Sequence, residues 1–294
     1  MENQDRKTNI NWFPGHMQKA KRQMMESLKL VDIVIEIRDA RIPYSSENPM
    51  LLDIIGNKPR IIVLTKKDMA DSDRTSQWLE YFKSNGLEAI SVNSNSDDLK
   101  KIIPELVKKV LKEKIEKAKA RGIRKKVLRA MVCGIPNAGK STLINNIVRK
   151  KAAKVENRPG VTKQLQWIRL NEDVELLDTP GVLWPRFSDQ RVAYNLALVG
   201  SLNDQVVDKD VIIAHAINHL YHNYPDILIN RYDIKLDDND DYIMILNKIA
   251  SSKKIYTLNN QLDINKTIDF ILTDVRNDKL KNVTWEFLDE SNNG

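Results

Sequence analysis

The stretch Gly134-Ile-Pro-Asn-Ala-Gly-Lys-Ser141 spaces two glycines, a lysine and a hydroxyl as a bound phosphate would require. Gly134 and Gly139 let backbone amides turn inward around phosphate oxygens. Lys140 brings a positive charge to the β- and γ-phosphates, and the Ser141 hydroxyl is a ligand for Mg²⁺. The motif stands where its physics needs it, after an apolar run from Val127 to Cys133 that reads as a strand and before a helical stretch. Further on, Asp178-Thr-Pro-Gly181 ends another short apolar run. Its carboxylate can hold the same Mg²⁺ through water, and the Gly181 amide can meet the γ-phosphate. Between the two lies Arg158-Pro-Gly-Val-Thr-Lys-Gln164, where Thr162 can close over the ion. Taken singly, the Asp178 segment is also an ordinary turn, and the Thr162 segment is also an ordinary loop.

Base selection has its own candidates. Thr65-Lys-Lys-Asp68 follows the apolar run Arg60 to Leu64. The two carboxylate oxygens of Asp68 can accept both donors on the Watson–Crick edge of guanine, and adenine offers no matching pair. The stem of Lys66 can lie across the ring. A site built on paired hydrogen bonds rejects the wrong base strongly. Ser91-Val-Asn-Ser94 ends the next apolar run and can offer backbone amides to the base carbonyl.

The elements that must carry these loops follow from periodicity. Apolar runs at Val31 to Ile37, Arg60 to Leu64 and Leu87 to Val92 are separated by helix-length segments, which is the pattern of parallel strands with crossover helices. Gln166 to Leu170 and Val174 to Leu177 are polar enough to form an antiparallel pair at a sheet edge. Met17 to Leu30 has the apolar spacing of an amphipathic helix, and Asp97 to Ala120 is a long basic segment of helical composition ending near Gly122. Beyond Leu183 the strand pattern fades and helical spacing takes over at Val206 to Tyr221, Tyr242 to Ala250 and Ile264 to Val275, with acidic Asp237 to Asp241 as an exposed loop. The expected architecture is α/β with a mostly parallel sheet over residues 1–184, followed by a smaller all-helical unit over 185–294.

Composition bounds the function classes. With 294 residues, 41% hydrophobic and 30% charged, the chain suits two globular units. No apolar run reaches the roughly 18 residues of a membrane span, and no signal-peptide core opens the chain, so a cytoplasmic location is expected. The single Cys133 excludes an internal disulfide or a cysteine-based zinc site and reads as a small buried residue. The net charge of +7 is concentrated between Lys108 and Arg129, where Glu113 and Glu116 are the only acids. That block suits a polyanion or a solvated helix face.

Together these residues resemble the five G motifs of Ras-like GTPases, in the order G4, G5, G1, G2, G3. The sequence is thus similar to the circularly permuted GTPases, and Asn11-Trp-Phe-Pro-Gly-His16 at its front resembles their bacterial ribosome-assembly branch. The likeness is specific over about residues 10–190 and looser beyond. It implies a circularly permuted Ras-like G domain that hydrolyses GTP and binds GTP and GDP. Contacts are implied at Thr65, Lys66, Asp68, Ser91, Val92, Asn93, Gly134, Pro136, Asn137, Ala138, Gly139, Lys140, Ser141, Thr142, Thr162, Asp178 and Gly181. Mg²⁺ is implied at Ser141, Thr162 and Asp178. The implied partner is the maturing large (50S) ribosomal subunit and its rRNA, with release after hydrolysis by a monomeric factor. A nucleotide-gated RNA-binding checkpoint, with hydrolysis incidental, stands as the alternative. Thr65 departs from the asparagine common at its position, so the inner-loop hydrogen bonds made there are open.

Two further readings complete the chemistry. Ras-like enzymes orient the attacking water with a glutamine just after the DxxG glycine, but this chain has Val182 and Leu183 there. Neither can hydrogen-bond to water. The resemblance puts His16 in that role beside Lys140 and Thr162, against a plain reading in which His16 caps the basic helix after a Pro14-Gly15 turn. Asn137 resembles the loop asparagine of potassium-dependent members, where K⁺ supplies charge near the β- and γ-phosphates. His215, His219 and His222, spaced i, i+4, i+7, read as a partly exposed face able to meet RNA phosphate, with no carboxylate to complete a metal site.

Overall fold

The computed structural model describes residues 22, 24–123, 127–148, 166–184, 187 and 189–288. Six strands form one sheet: β1 (Ile33–Asp39), β2 (Arg60–Thr65), β3 (Glu88–Ser91), β4 (Leu128–Gly134), β5 (Gln166–Arg169) and β6 (Val174–Asp178), in the order β3-β2-β1-β4-β6-β5. All neighbours pair parallel except β5 with β6, the polar pair expected at an edge. The central strand β1 is buried at every position although it carries Glu36, Arg38 and Asp39. Charges can be carried there because they are paired. Arg38 Nε donates to Glu36 Oε1 at 2.8 Å and its Nη2 to Glu47 Oε1 at 2.5 Å, while Arg60 Nη1 donates to Glu36 Oε2 at 3.0 Å.

Helices α1 (Pro49–Ile55), α2 (Ser72–Ser84), α3 (Leu99–Val110), α4 (Lys112–Ala120) and α5 (Lys140–Val148) belong to this layer. α2 shows why such segments fold. Asp71 caps its first turn by accepting from Asp73 N at 2.9 Å and Arg74 N at 3.1 Å, and Thr75, Trp78 and Phe82 face the sheet at helical spacing. The basic segment is two helices rather than one. α3 buries Leu99, Ile103, Leu106 and Val107, the chain breaks at Leu111, and α4 buries nothing. Cys133 is fully buried in β4.

The helical region contributes α6 (Gln190–Leu198), α7 (Lys209–Asn223), α8 (Pro225–Tyr232), α9 (Tyr242–Ser252) and α10 (Ile264–Arg276). Aspartates cap four of them: Asp189 accepts from Arg191 N, Asp208 from Asp210 N, Asp241 from Met244 N and Asp263 from Lys266 N. After α10 the chain returns to the sheet, which its pattern did not announce. Val283, Trp285 and Phe287 are buried, and Leu288 packs on the cluster around Trp78 and Phe82. Trp285 N donates to Arg41 O at 2.7 Å and Val283 N to Met69 O at 3.1 Å.

The expectation of a partly exposed histidine face is corrected by this return. His219 is buried, with Nε2 2.9 Å from Thr284 O and its ring against Tyr224, Trp285 and Phe287. Burial drives its pKa down to about 4, so it is neutral near neutral pH. His215 meets Asn195 Oδ1 at 2.9 Å, and only His222 is exposed. No group of three or more His, Cys, Asp or Glu residues placed to hold a metal occurs among the described residues, and none of the described helices is long and apolar enough to cross a membrane.

Candidate functional site

In a parallel sheet the carboxyl ends of the strands lie at one edge, and ligands bind outside that edge where the strand order reverses. Here the reversal falls between β1 and β4, and the loop after β4 is Gly134 to Ser141. α5 starts at Lys140, so the loop presents a helix N-terminus. Lys140 is buried and its Nζ lies 2.5 Å from Asp178 Oδ1 at the end of β6. The lysine expected at the phosphates and the carboxylate expected at Mg²⁺ thus share one spot. Of the groups here, the Asp178 carboxylate and the Ser141 hydroxyl are oxygen donors of the kind that suits Mg²⁺. GTPases generally use that ion, which there neutralises charge developing on the transferred phosphoryl group.

The segment after β6 is held against the loop. Val182 N donates to Gly134 O at 3.2 Å, and Thr179 Oγ1 to Val132 O at 2.8 Å. A Cβ on Gly181 would lie 3.0 Å from Pro136 N, so a side chain there would press the two turns apart by a few tenths of an ångström. Val182 and Leu183 are each buried, which removes both from any role in positioning water.

Thr65 and Lys66 join the base candidates to the phosphate loop. The Thr65 hydroxyl reaches Ala138 O and lies 3.0 Å from Arg38 O, so a threonine supplies the inner-loop contact that its departure from asparagine left open. Lys66 Nζ donates to Asn137 O at 2.8 Å. Lys66 and Asn137 both have φ 57°, the left-handed region that costs a side-chain-bearing residue about 1 kcal/mol or more. Their mutual contact helps to hold both conformations. Asp68 is exposed two residues beyond Lys66, in the turn closed by Met69 N to Lys66 O at 3.0 Å.

Two aspartates absent from the sequence reading organise these loops. Asp97 Oδ2 accepts from Lys67 Nζ at 2.7 Å and from Asn93 N at 3.0 Å, tying the segment at Thr65 to the segment at Ser91. Burial opposes its ionisation, but Lys67 and the Asn93 amide outweigh this and lower its pKa. The Asn93 amide is thereby engaged, and Val92 N donates to Leu64 O at 2.7 Å. Both amides thus have partners within the protein. Asp39, fully buried at the end of β1, accepts from Lys66 Nζ at 2.7 Å and from Arg41 Nη2 at 2.8 Å. Burial favours its neutral form, yet Arg41 and Lys66 hold the carboxyl well below the usual carboxylate range.

The Asn137 side chain turns to the helical region, donating through Nδ2 to Gly200 O at 2.6 Å. That leaves Oδ1 as the end with which it can meet a cation. Thr142 is half-buried on α5. His16 and Thr162 lie outside the described residues.

A strand, phosphate loop and helix, with base-recognition segments on strands that precede them in the chain, define a GTP-hydrolysing enzyme of the Ras-like class. The sequence pattern of the 50S ribosome-binding GTPase domain matches residues 129–260, beginning in β4, so Thr65 and Asp68 lie ahead of the match. The chain belongs to the ribosome biogenesis GTPase A family, being 43% identical to the Bacillus cereus protein over 96% of its own length and 95% of that protein. It is also similar to a GDP-bound structure of YlqF (TM-score 0.65, 26% identity, covering 91% of this chain and 100% of that one). GNP-bound YlqF from T. maritima matches with a TM-score of 0.62 and 28% identity, over 92% of this chain and 98% of that one. The chain is accordingly a ribosome biogenesis GTPase that binds GTP and GDP.

Proposed function

We propose that this GTPase binds the maturing large ribosomal subunit in its GTP form and leaves after hydrolysis. The observation that carries the reading is the junction of base loop and phosphate loop. Lys66 Nζ reaches Asn137 O and Thr65 reaches Ala138 O, so groups suited to guanine and groups suited to its phosphates meet in one site. The role in ribosome biogenesis for which the relatives are named supplies the partner class. Pull-down of large subunits with a nonhydrolysable GTP analogue, compared with GDP across a salt series, tests it. Strong retention with the analogue and a steep loss with salt is expected, because phosphate contacts release counterions. Equal retention with GDP would defeat it.

Within this reading the residues divide the work. Asp68 selects guanine, Lys140 and the loop amides hold the phosphates, and Ser141 with Asp178 and Thr162 holds Mg²⁺. Burial of Val182 and Leu183 supports a water-orienting group from elsewhere, and His16 is assigned that task. His16→Ala should keep GTP affinity and lower turnover stimulated by ribosomal particles; unchanged stimulated turnover would remove it. Asn137 is assigned to K⁺ through Oδ1. Replacing K⁺ by Na⁺ should slow turnover, and equal rates would discard the ion. The location that goes with this role is the cytoplasm, with the factor acting as a monomer.

A further inference from the structure

Asp39 stands at the crossing of three parts of the molecule. Its Oδ2 receives Lys66 from the base loop at 2.7 Å and Arg41 Nη2 at 2.8 Å. Its Oδ1 receives Arg41 Nε and Arg41 N, each at 3.0 Å. Lys66 passes on to the phosphate loop through Asn137 O, and Arg41 passes on to the helical region through Nη1 to Val275 O at 3.1 Å. An ammonium on a four-carbon stem has many rotamers, and ordering it on binding costs affinity. A fixed carboxylate at one side and a fixed carbonyl at the other remove that freedom before any base arrives. The stem between them is then held in one path, the path across which a purine ring would lie.

We propose that Asp39 is the positioning residue of the base site, holding the Lys66 side chain in place for the guanine ring. It touches no substrate and works through Lys66. The carboxylate suits this because it cannot drift: Asp39 is fully buried and clamped by Arg41 on its other edge. Burial pulls the Lys66 pKa down, and Asp39 restores part of it, so the pair keeps the ammonium charged beside the loop.

The inference rests on the reading of Lys66 and Asp68 as the base site, and a double-mutant cycle separates the two. Affinity for a fluorescent GDP analogue is measured for the wild type, K66M, D39N and the double variant, with D39E as a second substitution that keeps the charge for Arg41. KM and kcat for GTP are read alongside, and thermal scans report the fold. K66M and D39N should each weaken binding about tenfold, a factor equal to 1.4 kcal/mol, and the double variant should be no weaker than K66M alone. D39N should raise KM and leave kcat near the wild-type value, since base contacts bind ground and transition states alike. D39E should weaken binding in the wild type and have no effect in K66M. Wild-type affinity in K66M would sink the base-site reading itself. Losses that multiply in the double variant, wild-type affinity in D39N, or failure of both Asp39 variants to fold would overturn the positioning role.

Discussion

Single side chains carry two sharp consequences. The Thr65 hydroxyl reaches the phosphate loop at Ala138 O from the end of β2, and it is buried. Thr65→Val keeps its shape and leaves buried carbonyls short of a donor, which costs about 1–3 kcal/mol. A lower denaturant midpoint and weaker GDP binding are expected, with Thr65→Ser recovering most of both. Glu286 gives a pH signature. Its carboxylate sits on Ser45 N at 2.9 Å and Asn195 Nδ2 at 3.2 Å, with Tyr44 N and the Ser45 hydroxyl also on it. Burial drives its pKa up to about 7 from an ordinary 4.5. A carboxyl with a raised folded-state pKa stabilises fully below its unfolded value, and that stability is lost as pH rises through its folded value. The window is therefore about pH 4.5 to 7, and the size is on the order of 3 kcal/mol. His215 and His219, lowered by burial, slope the other way, losing stability as pH falls below their unfolded value. The difference between wild type and Glu286→Gln isolates the carboxyl. Calorimetric Tm values across that window should show the wild type losing its advantage over the variant as pH rises; a constant difference would reject the assignment.

At the scale of elements, the phosphate loop and the base loop are two turns cut to fit one another. Gly139 has φ 88°, and a Cβ there would lie 2.9 Å from Thr65 Oγ1. Gly139→Ala is expected to part the turns and to weaken guanine nucleotides by about tenfold or more, a displacement of 1.4 kcal/mol or greater, measured by competition with a fluorescent GDP analogue. Both loops were legible in the amino-acid order because each needs fixed residue types at fixed spacing beside a strand end. The β5–β6 edge pair was legible for a similar reason, polar alternation. α6 and α8 were not, since they are short and their burial is decided by partners far along the chain. The segment 283–288 alternates Val283, Trp285 and Phe287 with Thr284 and Glu286, but it is too short for that pattern to name its neighbours: its meaning lies in Arg41, Met69 and the ring of His219. Asp39 hid as an ordinary strand end. A signal was present, since a strand carrying Glu36, Arg38 and Asp39 in the middle of a parallel sheet must bury those charges in pairs. Of the partners, Arg60 and Lys66 become visible only once β2 lies beside β1, and Arg41 and Glu47 only once the segment after β1 turns back on it.

Across the whole molecule, the order of the motifs gives the nucleotide site several handles on the helical region. Asn48 caps α1 and donates to Val182 O at 2.6 Å, just after the segment expected at the γ-phosphate. Arg41 reaches Val275, and Asn137 reaches Gly200 in the turn that ends α6. That turn is held from α10. Arg276 donates to Ala197 O at 2.5 Å and Leu198 O at 3.3 Å, and pairs with Asp204 at 2.6 Å. An interaction that differs between GTP and GDP forms can shift the helical region only by its difference in free energy between them. Such couplings are typically about 1–3 kcal/mol, or about 5- to 150-fold in partner affinity. Arg276 touches neither the phosphate loop nor the base loop, so Arg276→Ala should leave GDP affinity close to the wild-type value. What it removes is the support of the carbonyl that Asn137 grips. Large-subunit binding with a nonhydrolysable GTP analogue and with GDP should then converge, the ratio of the two affinities falling several-fold from its wild-type value. A ratio that survives the substitution while the protein stays folded would show that the nucleotide is sensed through Asn48 or Arg41 instead, and the corresponding Asn48→Ala measurement would locate which.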